Sequence, residues 1–176
     1  MSILAISFFL SSRNASILSG VKPATFSSIG MLKKGVGTVL ATAKNEAALH
    51  SLTVADGTWL IGSSDAMTAD HAVQLTGGTL GAAAGTTNPV GAVSVADGVT
   101  GSLRLDPNAE LTLTALSLGT DARLSVTSDV ATARLRLLQT LDDATLKRIR
   151  VNGKRAAQTA DGTVEQGNFG LILLVR

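Results

Sequence analysis

The 176-residue chain has no cysteine and no tyrosine, and its single tryptophan and four phenylalanines bring aromatics to only 3%. Without cysteine there are no disulfides, no thiolate metal centres and no cysteine nucleophile. A round globule usually fills its centre with large rings. Here Gly, Ala, Thr, Leu and Val dominate, as suits a thin core of small aliphatics. Charge is sparse as well. Charged residues make up 16% and the net charge is +2, and the only basic clusters are "MLKKG" and "LKRIRVNGKR", so no nucleic-acid partner is expected. The longest early apolar run, Ile3 to Leu10, is too short to cross a bilayer, so no membrane span is expected. Residues 1–30 read as an N-terminal cap or an export-related segment.

What the sequence does have is a spacing. Gly37, Gly57, Gly78, Gly98 and Gly119 follow at intervals of 20 or 21 residues, and Thr140 takes the next place. Apolar residues keep register with these marks. Three positions before them stand Lys34, Val54, Leu75, Val95, Leu116 and Leu137, and five before stand Leu32, Leu52, Val73, Val93, Thr114 and Leu135. Apolar, polar, apolar, then glycine describes a strand with one buried face running into a corner. No segment between the marks shows a helical period. The expectation is an all-β fold, a right-handed parallel β-solenoid (β-helix) of about six turns over residues 31–140. Equivalent residues would stack about 4.8 Å apart, giving a rod roughly 30 Å long.

Residues 141–176 read as a C-terminal cap. "TLDDATLKRI" offers an Asp pair for a helix start or a turn, Asn152-Gly153 marks a hairpin, and "NFGLILLVR" closes as a buried strand. An uncovered terminal rung would present unpaired backbone groups, so end-to-end or edge self-association is one partner expectation.

The stretch "LKKGVGTVLATAKNEAALHSLTVADGTWLIG", residues 32–62, carries a Lys, a Gly-x-Gly-Thr with alternating apolar residues, an Asn, and a closing hydrophobic-x-Val-x-x-Gly-Thr. Lys34, Gly35, Gly37, Thr38, Val39, Asn45, Leu52, Val54, Gly57, Thr58 and Leu60 fit that pattern. In this it resembles the passenger-associated repeat of bacterial autotransporters. The ending "LKRIRVNGKRAAQTADGTVEQGNFGLILLV" is similar to the close of secreted bacterial solenoid proteins. The resemblance implies a secreted or cell-surface passenger or adhesin-type module with a structural role, or one that binds extracellular glycan or glycoprotein. It implies no cofactor.

Several residues are candidates for chemistry. Asp56 and Asp97 each precede a marker glycine and lie two turns apart, about 9 to 10 Å along the stack. Such a pair of carboxylates could serve a hydrolase, glycosidic or peptidic, acting on extracellular glycoprotein. The default reading is that Asp-Gly is simply good turn chemistry, as Asp161 in "TADGTV" illustrates outside the repeat. His50 and His71, the only histidines, fall in one column and make a metal or proton-sharing pair conceivable, with Glu46, Asp70 and Asn45 nearest in sequence. Asn45, Asp65, Thr86, Asp106 and Thr127 form another spaced series of polar turn formers, by default a solvated corner and on the sharper reading a carbohydrate-contacting edge with Asp65 and Asp106 as candidate contacts. Trp59 is either a sugar-stacking platform or a buried rung residue.

Overall fold

A computed structural model describes residues 16–18, 29–42, 49–64, 66–129 and 131–167. Asn45, Glu46, Asp65, the closing segment 168–176 and nearly all of residues 1–30 lie outside the described residues.

The fold is the expected parallel β-solenoid, built of two interleaved stacks. One wall carries β1 (Ser16–Leu18), β3 (Thr38–Ala41), β5 (Thr58–Ile61), β7 (Thr79–Ala82), β9 (Thr100–Leu105), β11 (Arg123–Ser128) and β13 (Ile149–Val151), hydrogen-bonded in that order and parallel throughout. The facing sheet runs β2 (Ile29–Lys33), β4 (Leu49–Val54), β6 (Ala72–Leu75), β8 (Thr87–Val95), β10 (Glu110–Leu118) and β12 (Arg134–Leu137). From β2 to β12 the chain completes five turns.

Inward residues stack in columns. In the first wall Val39, Trp59, Leu80, Leu103, Val126 and Val151 lie one above another, all buried. In the facing sheet Leu52, Val73, Val93 and Leu116 form a second buried column, with Val54, Leu75 and Val95 beside it. The space between two strand stacks is narrow, which is why branched aliphatics fill it and large rings are nearly absent.

The turn is not of constant length. The first-wall pairs Val39–Trp59, Trp59–Leu80, Leu80–Leu103, Leu103–Val126 and Val126–Val151 show it growing from 20 residues to 25. The growth to 23 comes with β8 and β10, each nine residues long, and the last turn, of 25, carries β12 and the helical segment 143–147. The second halves of β8 and β10 continue the facing sheet, while their first halves pair with each other and with β12 as a short third wall. The buried residues of β10 show the bend: Leu111 and Leu113 alternate, then the next buried residue is Leu116, three positions on. Gly91 sits at the corresponding bend of β8, where a Cβ would come within 2.6 Å of the Ala69 carbonyl and 2.7 Å of the His71 carbonyl. Pro89, on the outermost strand of the third wall, is tolerated there as it would not be in mid-sheet.

Beneath that third wall the described residues 66–71 plug the core with buried Ala66, Met67 and His71. Asn88 ties the plug down by accepting a hydrogen bond from the Ala66 N–H at 3.1 Å, and the Ser64 hydroxyl accepts from the Thr87 N–H at 3.0 Å.

The lengthening corrects the expected register. Val95 pairs with Leu118 and not with Leu116, so the left-handed corner that follows Gly57 (φ 66°) and Gly98 (φ 67°) falls on Asp121 (φ 55°), not on Gly119. Aspartate tolerates this backbone region better than most side chains, which is what frees the position from glycine. Thr140 lies past β12, the last strand of the facing sheet, and marks no left-handed corner. At the other end Lys33, not Lys34, is the inward residue opposite Val54. The first corner holds one residue more than the next, and Val36 is extruded there, 86% exposed.

The cap forms largely as expected. Asp142 caps α1 (Asp143–Lys147) by accepting from the Thr145 N–H at 2.6 Å. Asn152 (φ 47°) and Gly153 (φ 79°) turn β13 into antiparallel β14 (Lys154–Gln158), and β15 (Val164–Gln166) folds back antiparallel to β14. This meander covers the C-terminal end of the core with Ala156 and Val164. Among the described residues no strand follows over the second half of β10. Side chains close that edge instead: Gln139 Oε1 accepts from the Leu116 N–H at 2.9 Å, and the Arg148 guanidinium donates to the carbonyls of Gly119 and Leu118 at 2.8 and 3.1 Å.

Candidate functional site

Asp56 and Asp97 do share a column, with Gly77 between them, because Val54, Leu75 and Val95 are in register. Both are exposed. Each carboxylate is engaged by backbone: Asp56 Oδ1 accepts from the Gly57 N–H, and Asp97 Oδ1 from the Thr120 N–H of the following turn, both at 2.7 Å. Gly119 is glycine because a Cβ would overlap Asp97 Oδ1. Asp97 therefore staples one turn to the next, while Asp56 stabilises its own corner.

Beside Asp56 lies a group the repeat pattern did not reveal. Lys33 is buried, 4% exposed, and its ammonium donates to the carbonyls of Gly35 and of Asp56, the latter at 3.0 Å. Burial pushes its pKa below the usual lysine value, and the Asp56 carboxylate partly counteracts this. The amine thus closes an inward column in which the later turns place valine and leucine.

His50 and His71 stand in one column, as their pairing neighbours Ser51 and Ala72 require, but their surroundings differ. His50 is exposed, whereas His71 is buried at 2% and its Nδ1 accepts from the Thr68 N–H at 2.6 Å. That bond fixes the neutral tautomer with the proton on Nε2 and removes one nitrogen from metal chemistry. Burial first, and then the neighbouring His50, hold the His71 pKa below its ordinary value. Among the described residues no group of three or more His, Cys, Asp or Glu converges on a point that would hold a metal ion. The histidine column is therefore a plug residue beneath a surface residue.

Trp59 corrects the stacking-platform expectation. It points into the core between Val39 and Leu80 and is 5% exposed, so neither ring face is available to a sugar. Its parity is set by the strand, which turns Trp59 and Ile61 inward and leaves Thr58 and Leu60 outward. Asp106 is held on the surface by the Arg104 fork, Nε to Oδ1 at 2.8 Å and a terminal nitrogen to Oδ2 at 3.1 Å. The series expected to join Thr86, Asp106 and Thr127 is not a column, since Thr127 pairs with Arg104 and Glu110 with Thr87. The third wall displaced it.

Two clefts among the described residues lie elsewhere, on either side of the turn between β14 and β15. Asp161 sits at that turn and accepts from the Thr159 hydroxyl, from the Thr163 hydroxyl at 3.0 Å and from the Thr163 N–H at 3.3 Å. These donors, the Thr159 hydroxyl foremost, bring its pKa down to about 2. One cleft, about 350 Å³, opens between this turn and the last solenoid turn, and is lined among others by Ser128, Arg134, Asp161 and Glu165. The other, about 380 Å³, is walled by Leu137, Leu138, Leu141 and Leu146. Nothing in the spacing of the repeat announces either, because both are made by the antiparallel return of the chain.

No protein-family model, curated protein or solved structure matches this chain.

Proposed function

We propose that the chain is a secreted or cell-surface β-solenoid module of passenger or adhesin type, a stiff spacer that presents its surface to extracellular glycan or glycoprotein. The observation that carries this reading is how the polar side chains are used. Asp56 and Asp161 accept bonds from their own corners, Asp97 from the following turn, His71 from the plug, and Asp106 from Arg104. The side chains nearest to chemistry are engaged in holding a coil together, as a structural module requires. The likeness of residues 32–62 to the autotransporter repeat supports the extracellular setting.

A hydrolase acting through Asp56 and Asp97 is the second reading, favoured by their common column. One screen separates the two. Mucin-type glycoproteins and a glycan array are presented to the protein and read for both binding and cleavage. Binding without cleavage is the expected result. Cleavage that disappears in Asp56→Asn or Asp97→Asn, at unchanged melting temperature, would establish the hydrolase instead. Failure to retain any ligand would remove the binding role and leave the spacer alone.

A further inference from the structure

We propose that the cleft between the last solenoid turn and the β14–β15 meander is a binding site for a neutral monosaccharide unit, gripped through a pair of adjacent hydroxyls. The proposal rests on the glycan-binding reading above and places it at one site. The cleft, about 350 Å³, is at the small end of ligand-site sizes and suits a single sugar ring.

Its chemistry is divided as a sugar needs. Two charged side chains of opposite sign line it, Arg134 and Glu165. Among the described residues neither side chain has a hydrogen bond or an ion pair, and the Ser128 hydroxyl beside them is likewise without a partner. Two adjacent hydroxyls suit such a pair, since each can donate to a carboxylate while accepting from a guanidinium, and bonds to ionised groups are the strong ones. Asp161 adds a carboxylate already fixed by its threonines, so it loses no freedom when a ligand arrives.

The rest of the lining is small, with Thr132, Thr159 and Thr163 polar and two alanines and two valines apolar. Val151 and Val164 are buried, and Ala131 and Ala133 stand beside them. Ala131 and Ala133, the more exposed of these, give a sugar's C–H face a small apolar contact. With Asp161 and Glu165 against Arg134, the lining charge is net negative, which disfavours acidic sugars and phosphate.

The test uses the whole chain with methyl mannoside, methyl galactoside and methyl glucoside as probes, read by ligand-observed saturation-transfer NMR and by titration calorimetry. At least one hexoside is expected to bind. Arg134→Gln and Glu165→Gln should each weaken it about tenfold, the effect of losing a bond to a charged group. Both residues are exposed and unpaired, so the variants should keep the wild-type melting temperature. Absence of binding by all three hexosides at tens of millimolar overturns the proposal, as does binding that neither variant changes. Sodium glucuronate binding as well as methyl glucoside would overturn the diol reading in favour of an anion site. Array binding that survives both substitutions keeps the glycan reading and rejects this cleft, whereas a blank array and silent hexosides reject both.

Discussion

Gly57 and Gly98 form a matched pair. Both occupy left-handed corners, at φ 66° and 67°. Their surroundings differ. A Cβ on Gly57 would overlap the carbonyl oxygens of Gly35 and Gly37, well inside the 3.0 Å that real contacts respect, while a Cβ on Gly98 would meet nothing within 4 Å. Alanine at position 98 therefore meets backbone strain alone, about 1–2 kcal/mol, offset in part by the lower entropy of its unfolded chain. Alanine at position 57 adds the displacement of a stacked corner, about 1–3 kcal/mol. For a domain of this size each kcal/mol lowers the melting temperature by about 2–4 °C. The expected losses are thus about 3 °C for Gly98→Ala and on the order of 10 °C for Gly57→Ala. Asparagine sharpens the comparison, because the fold already places Asn108, Asp121 and Asn152 in the same backbone region. Gly98→Asn should recover most of its loss, and Gly57→Asn should recover none. Melting followed by circular dichroism decides it. Equal losses for the two alanine variants would refute the claim that close stacking, and not backbone conformation alone, demands glycine at position 57.

Two further outcomes follow from groups in the plug and the cap. The His71 pKa is lowered in the fold, so the unfolded chain binds more protons between the folded value and about 6.5. Stability should therefore be level above pH 6.5 and fall as the pH drops toward the folded pKa, and His71→Gln should flatten that slope in melting curves taken across the range. Asn152 donates from Nδ2 to the Ser128 carbonyl at 2.8 Å and accepts from the Ser128 N–H at 3.0 Å, from a left-handed backbone. Asn152→Ala should cost about 2–4 kcal/mol in urea unfolding, and Asn152→Gly only the part due to the hydrogen bonds.

Much of the fold is legible in the residues themselves. Strand alternation before each glycine gives the two stacked walls, and the first wall keeps to 20 or 21 residues from Val39 through Trp59 to Leu80. The same alternation already turns Trp59 inward. Legibility fails where the chain adds a wall. In "ELTLTALSL" the step from Leu113 to Leu116 breaks a period of two, but an extrapolated 21-residue spacing runs across the break and places Gly119 where Asp121 belongs. The extra residue that extrudes Val36 shifts the first column in the same way, hiding the buried Lys33. The C-terminal cleft was out of reach for a different reason. Arg134 and Glu165 belong to different strands that meet only when the meander turns back, and no periodic rule connects them.

The closure of β10 by Gln139 and Arg148 bears on how long such a rod can be. A parallel coil grows like a crystal face, each layer a template for the next, and it carries no instruction to stop. An amide oxygen and a guanidinium engage part of that face without reproducing it: Gln139 meets one peptide N–H, Arg148 two carbonyls, and neither offers a fresh row of backbone groups to a newcomer. They act as an end-stop. The length of the described rod is then a matter of how many turns the chain completes before those two side chains arrive.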